Sequence, residues 1–143
     1  MSSNKKSLVL FMPSIEGGGV EKNLFLVANH LAKKIKKVKL ITYEKSFKYS
    51  LNNNVEVLYF KRKSNNESKY FKYVMCLWLL TKFYFRNKNI LVFSFQANIF
   101  CLILSKILKF DIIIRSNSSP TGWSKSFFKN IIFKIFFKYA KSI

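Results

Sequence analysis

"LVLFMPSIEGGGVEKNLFLVANHLAKK", Leu8 to Lys34, decides how the chain is read, because its hydrophobic period changes partway along. Leu8 to Met12 is a continuous apolar run, which suits a strand buried on both faces. Beyond the glycines, Val20, Leu24, Val27, Ala28, Leu31 and Ile35 recur at helical spacing. Lys33, Lys34 and Lys36 gather near the C-terminal end, where a helix dipole favours cations. Strand, loop and helix follow in that order. The chain has only four glycines, and three of them, Gly17, Gly18 and Gly19, stand together at the junction. Glycine lets the backbone turn sharply and approach a ligand closely, and the free N–H groups of a helix N-terminus favour an anion. The same three residues also suit a purely structural tight turn.

Working outward, the alternation continues. "VKLITY" and "VEVLYF" read as two further strands, separated by "EKSFKYSLNNN". Glu67 to Arg86 is a long aromatic helix and "ILVFSF" the fourth strand. Ala97 to Lys109 reads as helix, "DIIIR" as a fifth strand, "SNSSPTGW" as a loop, and Ser124 to Tyr139 as a final helix. Parallel strands need crossovers, so this order predicts an α/β fold: a Rossmann-like parallel sheet of at least five strands with helices on both faces. No linker or internal repeat divides the 143 residues, which is the size of one domain.

The formal net charge is +20, from 26 Lys and Arg against 6 Asp and Glu. An excess of that size points to a polyanionic partner, such as a membrane surface, nucleic acid or a phosphorylated substrate, unless adenine-rich codons have inflated Lys without any partner. Nucleic acid is the weakest of these, because Lys far exceeds Arg and no RNA- or DNA-binding motif is present. Cys76 and Cys101 lie in separate apolar runs without metal-ligand or redox spacing, so both read as reduced core residues, which fits the cytoplasm. The apolar stretch before Pro13 is short for a signal peptide, and the longest uncharged run, Asn89 to Ser105, is interrupted by Ser94, Gln96 and Asn98. No membrane span is expected. The single histidine, His30, falls inside the first helix and reads as a surface residue, so no Ser-His-Asp or Cys-His set and no metal centre is expected.

Two nucleotide motifs can be compared with the glycines directly. "GGGVEK" lacks the GxxxxGK[ST] pattern of a Walker A loop. As a dinucleotide fingerprint it supplies Gly17-x-Gly19 but has Lys22 in place of the third glycine, although Glu44 ends the second strand where a ribose-binding acid would stand.

The segment "LVLFMPSIEGGGVEKNLFLVANHLAKK", followed by "VKLITYE", resembles the start of family 4 glycosyltransferases, in which an apolar strand ending Pro-Ser leads into Gly-Gly-x-Glu-Lys/Arg and a helix. "IIIRSNSSPTGWSKSFFKNIIFKIFFKYAKSI" is similar to the fifth strand, loop and next helix of the same N-terminal domain. The resemblance implies a GT-B architecture of two Rossmann-like domains, of which this chain would be the acceptor-side one, incomplete and without the C-terminal donor domain. It implies retaining transfer of a hexosyl unit from a nucleotide sugar to a glycan or lipid-linked acceptor in surface polysaccharide biosynthesis, with no metal or other cofactor. Gly17, Gly18, Gly19, Glu21 and Lys22 match the loop that lies beside the donor diphosphate. Arg115, Ser116, Asn117 and Ser118 match the loop after the fifth strand and are the acceptor-side candidates. The Glu-x7-Glu motif of the donor domain is missing, so the chain alone is expected to be inactive. A catalytically silent, membrane-associated remnant and a nucleotide-binding Rossmann-like domain stay open beside this reading.

Phe128, Ile131, Ile132, Ile135, Phe136 and Tyr139 form one apolar stripe along the final helix. Phe133 and Phe137 fall on the opposite side, among Lys129 and Lys134, a pattern suited either to an interfacial helix on anionic lipid or to packing against the absent half of the enzyme. The aromatics of "KYFKYVMCLWLLTKFYF" repeat the theme and read mostly as core. Together with the charge, this places the chain at the inner membrane face as a peripheral protein, with an anionic surface as partner.

Overall fold

The computed structural model describes residues 6–45, 47–61 and 67–115. Five strands form one sheet: β1 (Ser7–Phe11), β2 (Val38–Glu44), β3 (Val55–Lys61), β4 (Ile90–Ser94) and β5 (Asp111–Ile114). Three helices connect them: α1 (Gly19–Lys34), α2 (Lys69–Arg86) and α3 (Asn98–Leu108). Strand order is β3-β2-β1-β4-β5, and every neighbouring pair is parallel. This is the expected Rossmann-like α/β architecture.

The pleat sorts alternate residues of β1 to opposite faces. Leu8 and Leu10 pack with Leu24, Ala28 and Ala32 of α1, whereas Val9 and Phe11 pack with Cys76 and Leu80 of α2 and Cys101 and Leu102 of α3. A central strand covered on both sides has no polar face, which is why its sequence is apolar without alternation. One crossover has no α-helix. Between β2 and β3 the chain makes a single 3-10 turn, Lys48–Ser50, and the side chain of Asn29 on α1 holds it. The Asn29 amide donates to the Ser50 carbonyl at 3.0 Å, and its Oδ1 accepts from Asn52 N–H at 2.7 Å. His30, the next residue, is exposed as expected.

α2 departs from expectation. Its aromatics were expected mostly in the core, yet the residues it buries are Lys72, Cys76 and Leu80. Tyr70, Phe71, Trp78 and Phe85 are exposed, while Tyr73, Phe83 and Tyr84 are half-buried. The physical reason is helix geometry: one narrow stripe of an 18-residue helix meets the sheet, and this helix is apolar nearly all round. No helix among the described residues is long and apolar enough to cross a membrane.

The chain moves from β1 through β2 to β3 in one direction and from β4 to β5 in the other. The order therefore reverses between β1 and β4, and in open parallel sheets the crevice beyond the C-terminal ends of two such strands is the usual ligand position.

Candidate functional site

The residues at the crevice come from four segments. After β1, the chain keeps sheet pairing for two more residues, with Met12 N–H donating to the Ile41 carbonyl at 3.1 Å and the Pro13 carbonyl accepting from Tyr43 at 3.1 Å. It then turns through Ser14 to Gly18 into α1. Gly17 adopts φ +88°, a left-handed conformation that side-chain-bearing residues rarely take. α1 begins with Gly18 as its extended N-cap residue, and no side chain caps its first N–H groups. A Cβ on Gly19 would meet nothing within 4 Å beyond its chain neighbours and its own helix backbone.

The loop is closed from within by Glu21. Its carboxylate accepts the Glu16 N–H at 3.2 Å, and its other oxygen would stand 2.9 Å from a Cβ on Gly18. Glu21 is buried whereas Lys22 is exposed on the same turn. The expected donor-phosphate residues are thus adjacent in space but differ in what they do. Glu21 holds the loop and supplies a negative charge favourable at a helix N-terminus, while the three glycines and Lys22 are exposed.

A second strand end closes the other wall. Ser14 N–H donates to Gln96 Oε1 at 3.1 Å, which ties the β1 loop to the β4 loop. Ser94 Oγ lies 2.8 Å from both the Gln96 carbonyl and Asn98 Oδ1, its one proton serving either acceptor in turn. Asn98 then donates to the Arg115 carbonyl at 2.9 Å. Ala97, between them, adopts φ 57°, an unusual conformation for alanine and a small store of strain at the crevice. Arg115 itself is half-buried, its N–H bonded to the Ser94 carbonyl at 3.0 Å and its guanidinium 5.7 Å from the centre of the Phe95 ring.

The electrostatics come from α2, whose first turn also lies at this edge. Ser14 Oγ donates to Glu16 Oε1 at 2.6 Å, and that bond, with Lys69 and Lys72 nearby, holds the Glu16 carboxyl below its ordinary value despite some desolvation. Tyr73, one turn along α2, is pushed up, chiefly by burial. The rim therefore combines two carboxylates with Lys22, Lys69, Lys72 and Arg115, and it can bind an anion while keeping directional hydrogen-bonding groups beside it.

Gly17, Gly18, Gly19, Glu21, Lys22 and Arg115 thus gather at one edge of the sheet. Ser116, Asn117 and Ser118, and the expected membrane residues Lys129, Phe133, Lys134 and Phe137, lie outside the described residues. Sequence reasoning missed Ser14, Glu16, Lys69, Lys72, Gln96 and Asn98. For Gln96 and Asn98 a signal existed, because both interrupt an apolar run directly after a strand. A cavity of about 240 Å³ lined by Lys36, Lys37, Asn54 and Glu56 opens at the opposite edge, away from these residues. Among the described residues no group of three His, Cys, Asp or Glu is arranged to hold a metal ion.

Compared with known proteins, the chain matches no family model, and no curated protein matches it significantly.

Proposed function

We propose that the chain is the acceptor-side, N-terminal domain of a family 4 glycosyltransferase of GT-B architecture. In this reading it works with a donor-binding domain to transfer a hexosyl unit, with retention, from a nucleotide sugar to a glycan or lipid-linked acceptor in surface polysaccharide assembly. It sits peripherally on the anionic inner face of a membrane. The single observation that carries the reading is the Gly17–Gly18–Gly19 loop at the mouth of the β1/β4 crevice, directly ahead of an α1 N-terminus with no side-chain cap. Fixed N–H groups and a helix dipole suit a diphosphate, whose charge must be stabilised as the sugar leaves it. Lys22 adds a cation on the same turn, and Arg115 with Asn98 offers the acceptor side a charge and a hydrogen-bonding wall.

The chain's own residues bind and position in this scheme; donor recognition comes from the partner domain. The test is an assay of the chain together with a donor-binding domain of such an enzyme, using labelled nucleotide hexoses and lipid extract as acceptor. Labelled, anomerically retained glycolipid is expected. If no nucleotide hexose is consumed by the pair, the transferase reading fails.

Glu44 at the end of β2 favours a second reading, a nucleotide-binding Rossmann-like domain, since an acid in that place can hold a ribose. Lys22 in place of the third fingerprint glycine argues against it. Tight binding of a dinucleotide by the chain alone would select it over the first.

A further inference from the structure

The outward face of α2 is as apolar as its inward one. Tyr70, Phe71, Val74, Trp78 and Phe85 are all exposed, Tyr70 at 72% and Phe85 at 65%. Positions 71, 74, 78 and 85 fall on one side of a helix of 3.6 residues per turn. Neighbouring elements extend this surface. Phe60 on β3 meets Trp78 edge-on, with 6.3 Å between ring centres, and on α3 Phe100 stands 6.3 Å from Tyr73. Ile103 and Ile107 continue the exposed stripe along α3. Among the described residues, the exposed large apolar side chains away from this layer are Leu26 and Tyr49. Exposed apolar groups scattered singly are ordinary; a whole layer of them marks an interaction surface.

Charge selects the occupant. No acidic residue lies between Lys69 and Arg86, so the helix carries only cations, at Lys69, Lys72, Lys82 and Arg86. Lys82 Nζ sits 5.1 Å from the centre of the Trp78 ring, which places cation and aromatic at one height. Tryptophan and tyrosine favour the headgroup level of a bilayer, and Lys and Arg beside them favour anionic headgroups. A second copy of this chain would bring like charges together, since the net charge is +20.

We propose that the outer face of α2 and α3 is a docking surface for anionic lipid, with Trp78 and Phe85 entering the headgroup region and Lys82 and Arg86 against lipid phosphates. The proposal rests on the membrane partner in the reading above, and it assigns that partner to residues distinct from Phe133 and Phe137. The first turn of α2 also forms the rim of the crevice, where Lys69 and Lys72 act on Glu16. Docking by this face brings the rim to the bilayer, where a lipid-linked acceptor is held.

The test uses the full chain and phosphatidylcholine vesicles with and without phosphatidylglycerol, at low and high salt. The chain has two tryptophans, so Trp123→Phe leaves Trp78 as the sole reporter. Its emission is expected to shift to the blue and become shielded from acrylamide only with anionic vesicles at low salt. A Trp78→Gln, Phe85→Gln double variant should bind about tenfold more weakly, and a Leu26→Gln, Tyr49→Gln variant as the unmodified chain does. Trp78 emission unmoved by vesicles that bind the chain overturns the proposal. If binding is then lost in a Phe133→Ser, Phe137→Ser variant, the membrane reading stands and only this assignment falls; if no form binds, both fall. A Trp78 already shielded without vesicles also overturns it, with a second copy as the cover if gel filtration shows a concentration-dependent dimer.

Discussion

The Glu21 carboxylate turns back along its own helix and accepts the backbone N–H of Glu16 at 3.2 Å. Five residues apart in sequence, the two close the glycine loop as a staple would, and a Cβ on Gly18 would stand 2.9 Å from that carboxylate, which would have to shift to admit it. Glu21→Ala removes the acceptor and should cost about 1–2 kcal/mol in urea unfolding, with faster exchange of the Glu16 amide. Glu21→Gln keeps an oxygen at that place and should recover most of the loss. Equal exchange rates in all three proteins would show that the staple does not hold the loop.

The three consecutive glycines are required for different reasons, and alanine separates them. Gly17→Ala forces a side chain into φ +88° and should destabilise the chain by roughly 1 kcal/mol. Gly19→Ala adds a methyl in open space at ordinary backbone angles and should leave the urea midpoint unchanged or slightly higher. Equal unfolding curves for the two variants would contradict the left-handed conformation at Gly17.

How much of this was legible in the sequence depends on the distance over which each feature acts. The strands and α1 were readable because period and burial are local properties, and the glycines marked the junction because backbone freedom is local too. The crossover from β2 to β3 was not readable. Nothing in "EKSFKYSLNNN" says that its brace is Asn29, 21 residues before Ser50. The crevice likewise joins Ser14 to Gln96, 82 residues apart, a pairing that only strand order creates. The outward aromatics of α2 misled for the opposite reason: composition reports that a residue is apolar, not which side of the helix meets the sheet.

Glu16 gives the crevice a pH dependence. The Ser14 hydroxyl, then Lys69 and Lys72, lower its carboxyl below the ordinary value, so the folded chain binds that proton less tightly than the unfolded one. Its contribution to stability is therefore complete above the ordinary glutamate range and is lost as pH falls through that range to the lowered value. Ser14→Ala should reduce stability most at neutral pH, and the difference from the unmodified chain should shrink in acid. A difference constant from neutral to acid pH would remove the Ser14–Glu16 bond as the cause.

Both thiols are reduced and buried. Burial pushes Cys101 up to about 12 and raises Cys76 as well, so neither forms thiolate near neutrality. Iodoacetamide at neutral pH should leave the native chain unlabelled and add two adducts in urea, which matches its two cysteines. Rapid labelling without denaturant would place a thiol at the surface.

Gly19→Val reports most directly on whether the glycine loop serves a diphosphate, because a Cβ there meets nothing within 4 Å beyond its chain neighbours and its own helix backbone. The measurement is transfer of labelled hexose to lipid by the chain combined with a donor-binding domain, alongside urea unfolding of both forms. Transfer should fall by about tenfold or more with the unfolding midpoint unchanged. Undiminished transfer by Gly19→Val would contradict a diphosphate at this loop.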